Sequence, residues 1–159
     1  MIRLWLLIAV FLAPLPAMAL SCLAPSVERS FQQFNAAEDT YVVVHGRLTL
    51  DKAQLPRNDF ETQRPPPMTR VPARLIGRSL GLEGFKTPFE REVTLEVACF
   101  GPWCGSAQNG GDVLAFLRKD TDGYALGITP CGGGAFWAPS SKMLRTVKQC
   151  LRGGDCTVD

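Results

Sequence analysis

The chain has six cysteines, Cys22, Cys99, Cys104, Cys131, Cys150 and Cys156, and every one lies beyond residue 21. An even set placed this way constrains the fold more than any other feature, because in an exported chain it reads as a disulfide framework. Export is itself legible. Met1-Ile-Arg3, the apolar run Leu4 to Leu15 and the small-residue stretch Pro16-Ala17-Met18-Ala19 follow the order of a cleaved secretory signal. That run is shorter than the ~20 residues a membrane-spanning helix needs, and no later stretch replaces it. The expectation is signal peptide 1–19, cut after Ala19 or, as a variant, after Ser21, then one domain over 20–159 in the periplasm or secreted.

Two rival uses of the cysteines are weaker. A zinc site wants paired ligands, but no Cys-x-x-Cys is present and His45 is the only histidine; no metal and no cofactor are predicted. An outer-surface lipoprotein acylated at Cys22 is the other rival, since Ala19-Leu20-Ser21-Cys22 ends on a small residue and a cysteine. A lipobox prefers leucine three places before the cysteine, where Ala19 stands, and acylation would leave an odd number of thiols. Charge excludes further classes. Lys+Arg 17 nearly balance Asp+Glu 15, and the signal removes only Arg3, a balance that argues against a nucleic-acid or anionic-membrane partner.

Periodicity predicts a mainly β domain. Ser26 caps a short helix with Val27, Phe31 and Phe34 on one face. Tyr41 to Leu50 alternates, with Val42, Val44, Gly46, Leu48 and Leu50 sharing a side, and Gly46 marks a bulge or bend. Asp51 to Thr69 reads as a long loop with a Pro65-Pro66-Pro67 extended element, either a binding loop or a tolerated insertion. Arg70 to Arg78 and Phe89 to Cys99 form a hairpin, joined through Gly81, Gly84 and Pro88, whose arginine row (Arg70, Arg74, Arg78) faces a glutamate row. A second hairpin joins Val113–Leu117 to Tyr124–Thr129 through Asp120-Thr-Asp-Gly123. Ser140-Ser141 caps a closing helix with Met143, Leu144, Val147 and Leu151 on its stripe, and Gly153-Gly154 stops it.

One long strand with a mid-strand glycine, two hairpins and a helix at either end is the order of a five-stranded OB-like barrel. A cysteine at the mature N-terminus, Cys104-Gly105 before the fourth strand, Asp112-Val-Leu-Ala-Phe116, and Cys131 closing the fifth together resemble the netrin-like module. That is the fold of the N-terminal domain of the tissue inhibitors of metalloproteinases. Phe34-Asn-Ala-Ala-Glu38-Asp39 running into Tyr41-Val-Val is similar to that family's approach to its first strand. In the inhibitors the first of two closely spaced N-terminal cysteines grips the protease zinc; here Leu20 occupies its place if Cys22 matches the second, and only the variant cut after Ser21 restores a cysteine amine, so a protease stays a conceivable partner but the inhibitory activity is not carried across.

Spacing pairs Cys150 with Cys156, because Gly153-Gly154 lets the chain double back, and Cys99 with Cys104 across a Gly-Pro turn, within the ~4.4–6.8 Å between α-carbons that a disulfide tolerates. Cys22 and Cys131 then remain, and the resemblance joins an N-terminal cysteine to the one ending strand five. The family's other N-terminal bridge implies the competing map, Cys22 with Cys104 and Cys99 with Cys131.

No catalytic residue emerges. Cys99 and Cys104 are too widely spaced for a redox pair. Cys131-Gly-Gly-Gly lacks a base, since His45 shares the strand parity of Tyr41 and Arg47 and is expected to face solvent. Trp103, Phe136 and Trp137 fall in loops, where aromatics either plug the barrel or form a contact surface; with Arg70, Arg74 and Arg78 they make the candidate binding residues. The expected function is a non-catalytic binding module for an unknown protein or glycan. The alternative is a periplasmic enzyme whose site the sequence hides.

Overall fold

The computed structural model describes residues 20–62 and 64–158, so the signal reading of 1–19 lies outside the described residues. Among these the chain is mainly β, with seven strands, two α-helices and three disulfides. Helix α1 (Val27–Asn35) begins at Ser26, whose hydroxyl accepts the Arg29 backbone N–H at 3.1 Å. Strands β1 (Tyr41–Leu50), β2 (Met68–Gly81), β3 (Gly84–Phe100), β4 (Trp103–Cys104), β5 (Gly111–Asp120), β6 (Gly123–Ile128) and β7 (Ala135–Trp137) follow, with a 3-10 turn at Lys52–Gln54. Helix α2 (Ser141–Leu151) closes the domain, capped by Ser140 accepting from the Met143 N–H at 3.2 Å.

The pairings form a circuit. Hairpin neighbours β1–β2, β2–β3 and β5–β6 are antiparallel, β3 pairs β6 in parallel, and β1 returns to β5. Strand β1 therefore has partners on both sides, β5 along Tyr41–Leu48 and β2 along Val44–Leu50. Where both overlap, Gly46 stands opposite Gly77. A Cβ on Gly46 would come within 2.3 Å of the Ile76 carbonyl oxygen, and one on Gly77 within 2.2 Å of that of His45. Only a residue without a side chain lets the two backbones approach this closely.

Alternation along the strands divides the apolar residues between two cores. Val44, Leu48, Val71, Leu75, Leu95, Val97, Val113 and Leu117 pack inside the circuit. The opposite face of β5 presents Leu114 and Phe116, which meet Val27 of α1, Phe136 of β7 and Val147 of α2. Strand β5 is thus buried on both faces, and Val113 to Leu117 reads as a continuous apolar run.

The charge rows do face each other. Arg70 stands opposite Glu96 and Arg74 opposite Glu92; Arg74 bonds Glu90 at 2.5 Å and Glu92 at 3.1 Å. Arg78 departs from the row and donates instead to the Lys86 carbonyl at 2.8 Å.

The strand assignment needs four corrections. Seven strands replace five, because β4 and β7 are two- and three-residue pairings that alternation over so few residues does not reveal. The β2–β3 connection is only Leu82-Glu83, with both strands continuing past Gly81 and Pro88. Pro88 sits where β3 has β2 as its sole neighbour, an edge position that tolerates proline. Trp103, Phe136 and Trp137 lie on these short strands and not in loops. Finally, the Cys99 and Cys104 α-carbons are 3.9 Å apart, closer than the usual range, since the residues are directly opposed on β3 and β4 across the tight Gly101-Pro102 turn.

Candidate functional site

The N-terminal segment is anchored before the first helix begins. Cys22 is bridged to Cys131, just after β6, and the Arg29 guanidinium donates to the Ala24 carbonyl at 2.9 Å. On the other side of the bridge the Thr129 hydroxyl accepts the Cys131 N–H and donates to the Gly132 carbonyl at 3.1 Å. Gly132 has a φ of 75°, and its bare α-carbon faces the Pro25 ring. Two chain segments 109 residues apart are thereby held as one rim.

Beside this rim opens a cleft of about 540 Å³, its apolar wall formed by Leu23, Ile128, Phe136, Trp137 and Met143. Cys104 of the β3–β4 staple also lines it. Leu23 is 76 % exposed, although it sits one residue from a disulfide. A large apolar side chain held in water by a rigid segment is pre-organised for contact, because little conformational entropy remains to be lost on binding.

The residues singled out from the sequence are scattered. Trp137 lines the cleft, and Phe136 combines a place in its wall with burial in the second core. Trp103 stands away from them, edge-on to Phe60 with ring centroids 6.0 Å apart, where the long loop folds back. That loop is tied to the staple: the Asn58 side-chain oxygen accepts the Cys104 N–H at 2.8 Å, and the Asp59 N–H donates to the Pro102 carbonyl at 3.1 Å. Arg70 and Arg74 are engaged by glutamates on the hairpin face, and Arg78 by a carbonyl. Sequence reasoning passed over Leu23, Ile128 and Met143, which gather only because the Cys22–Cys131 bridge and β7 bring three distant segments together.

His45 does not simply face solvent. Its ring packs edge-on to Phe85 at 5.7 Å, and its Nε2 lies 3.1 Å from an Asp112 carboxylate oxygen. Parity does place His45 on the Arg47 side of β1, with 29 % of its side chain exposed; what parity could not show is Asp112, which comes from the neighbouring strand β5. Asp112 is the ring's only hydrogen-bond partner among the described residues, so no hydroxyl or thiol completes a nucleophilic pair. All six cysteines are in bridges, Cys22–Cys131, Cys99–Cys104 and Cys150–Cys156.

Three disulfides fit an oxidising compartment, and no helix among the described residues is long and apolar enough to cross a membrane. No family model matches the chain, and no curated protein or solved structure matches it either.

Proposed function

We propose that this chain is an exported, non-catalytic binding module, a netrin-like domain on a five-stranded OB-like barrel, that engages a protein partner through its disulfide-pinned N-terminal edge. The barrel reading is supported by the closed circuit β1–β2–β3–β6–β5–β1 with its single parallel contact, β3–β6. The partner reading rests on one observation: Leu23 is 76 % exposed on a segment locked at Cys22 and Ala24, beside a cleft walled by Trp137 and Met143. Tryptophan is among the side chains that carry most of the energy in protein interfaces, and Trp137 lines the cleft that Leu23 borders.

The lipoprotein alternative is weakened by the bridge at Cys22, which consumes the thiol that acylation needs. The enzyme alternative is left with the His45–Asp112 pair and no nucleophile.

The test is capture from a native envelope extract by the immobilised oxidised protein, run beside Leu23→Asp and Trp137→Ala. A partner retained by the wild type and lost by both variants supports the proposal. A partner retained by all three, or no captured protein, overturns it.

A further inference from the structure

Net charge conceals a segregation that the fold makes visible. Helix α2 and the residue after it carry Lys142, Arg145, Lys148 and Arg152 and no acidic residue. Spacings of three, three and four place these cations on one stripe, opposite the side that buries Val147 and Cys150. None of the four has an ion-pair partner among the described residues. The nearby acids are engaged elsewhere: Glu83 lies 3.8 Å from Lys86, and the Asp155 carboxylate accepts the Thr157 N–H and hydroxyl at 3.0 and 2.8 Å. On the β2–β3 hairpin, by contrast, arginines and glutamates neutralise one another.

The second observation is apolar. The β2–β3 turn docks on the end of α2: the Arg152 Nε donates to the Leu82 carbonyl at 2.9 Å, and Gly84 lies against the Lys148 aliphatic chain. This contact holds Leu82 out at the turn tip, 70 % exposed. Arg145, Lys148 and Arg152 line a shallow depression of about 410 Å³ on the same helix. The helix dipole accounts for cations in the last turn. It accounts neither for Arg145 and Lys142 nor for the exposed leucine.

We infer that the outer stripe of α2, together with the Leu82 turn, is a docking surface for an anionic lipid bilayer. The cations select a negatively charged partner, and Leu82 selects one that also offers hydrocarbon. A bilayer of anionic phospholipid supplies both at one surface. An acidic glycan supplies charge alone and would leave Leu82 without a role.

The experiment is flotation of the oxidised mature protein with vesicles of phosphatidylglycerol and phosphatidylcholine, against vesicles of phosphatidylcholine only. Binding is expected to the anionic vesicles alone, weakening as salt is raised. Arg145→Glu with Lys148→Glu is expected to lower partitioning at least tenfold. Leu82→Ser is expected to lower it about tenfold without altering the salt dependence. Non-reducing mass and circular dichroism verify that each variant keeps its bridges and fold. Leu23→Asp is expected to float like the wild type, so this inference and the partner-edge proposal fail separately. Absence of binding to anionic vesicles, or charge reversal without effect, overturns the inference. Indifference to Leu82→Ser also overturns it, because charge alone would then account for the binding.

Discussion

The Glu96 carboxylate on β3 and the Arg118 guanidinium on β5 meet at 3.2 Å across β6, the strand that separates them. The crossing is open because β6 is small there: Glu96 stands opposite Gly127, and Arg118 opposite Ala125. Arg70 and Asp120 extend the chain of charges on either side, at 3.4 and 2.8 Å. Arg118 is held protonated beyond the usual guanidinium range, first by its hydrogen bond to Asp120 and then by the charge of Glu96. Glu96→Gln should lower stability on the order of 1 kcal/mol. Gly127→Leu, whose Cβ meets no atom within 4 Å, should place its side chain between the two ions, and its loss should not add to that of Glu96→Gln. Urea unfolding of the two single variants and the double variant measures this.

The hairpin register gives a charge-swap test. Arg74→Glu should destabilise slightly, since it sets three carboxylates together, and Glu92→Lys should recover part of the loss because residues 74 and 92 are directly opposed. Strict additivity in thermal melts would contradict the register.

Gly46 and Gly77 should tolerate no side chain. Gly46→Ala drives a methyl into the Ile76 carbonyl, backbone against backbone, and should cost roughly 3 kcal/mol or more. Ala138 is the opposite case: it is an exposed residue with a φ of 47°. Ala138→Gly relieves the left-handed strain, partly offset by the added freedom of the unfolded chain, for a net gain of about 0.5 to 1 kcal/mol. Denaturant midpoints check both.

The bridges should differ in weight by the loops they close. Cys22–Cys131 spans 109 residues and Cys150–Cys156 spans 6. Loop-closure entropy assigns them about 4.8 and about 2.2 kcal/mol. Paired serine substitutions, compared by thermal unfolding, should show the first loss to be the larger.

Stability should fall away at both ends of the pH scale. Asp120 is held below its ordinary value of 3.8 by the Arg118 hydrogen bond, and Asp155 by the Thr157 N–H and hydroxyl. A depressed carboxylate stabilises fully above its unfolded value, and the contribution is lost as pH falls through the lower folded one. Burial raises the Tyr41 phenol above 10.0, so its contribution is complete below that value and is lost as pH rises through the folded one. Tyr41→Phe should therefore retain more of its neutral-pH stability above pH 10, as read by denaturant midpoints across the range.

Local chemistry determined much of this protein from the sequence alone. Ser26 and Ser140 cap helices, Tyr41 to Leu50 alternates as a strand, and Arg70 to Glu96 pairs across a hairpin, because each signal lies within one element or between close neighbours. The local cysteine pairs were legible for the same reason. Tertiary structure alone decided the rest: that β3 pairs with β6 and β1 with β5, that Asp112 reaches His45, that Leu23 borders Trp137, and that Leu82 is held at the end of a basic helix. Those partners are separated by tens of residues or more. Periodicity states which face of an element is apolar, but only the packing of the two cores settles which other face it meets.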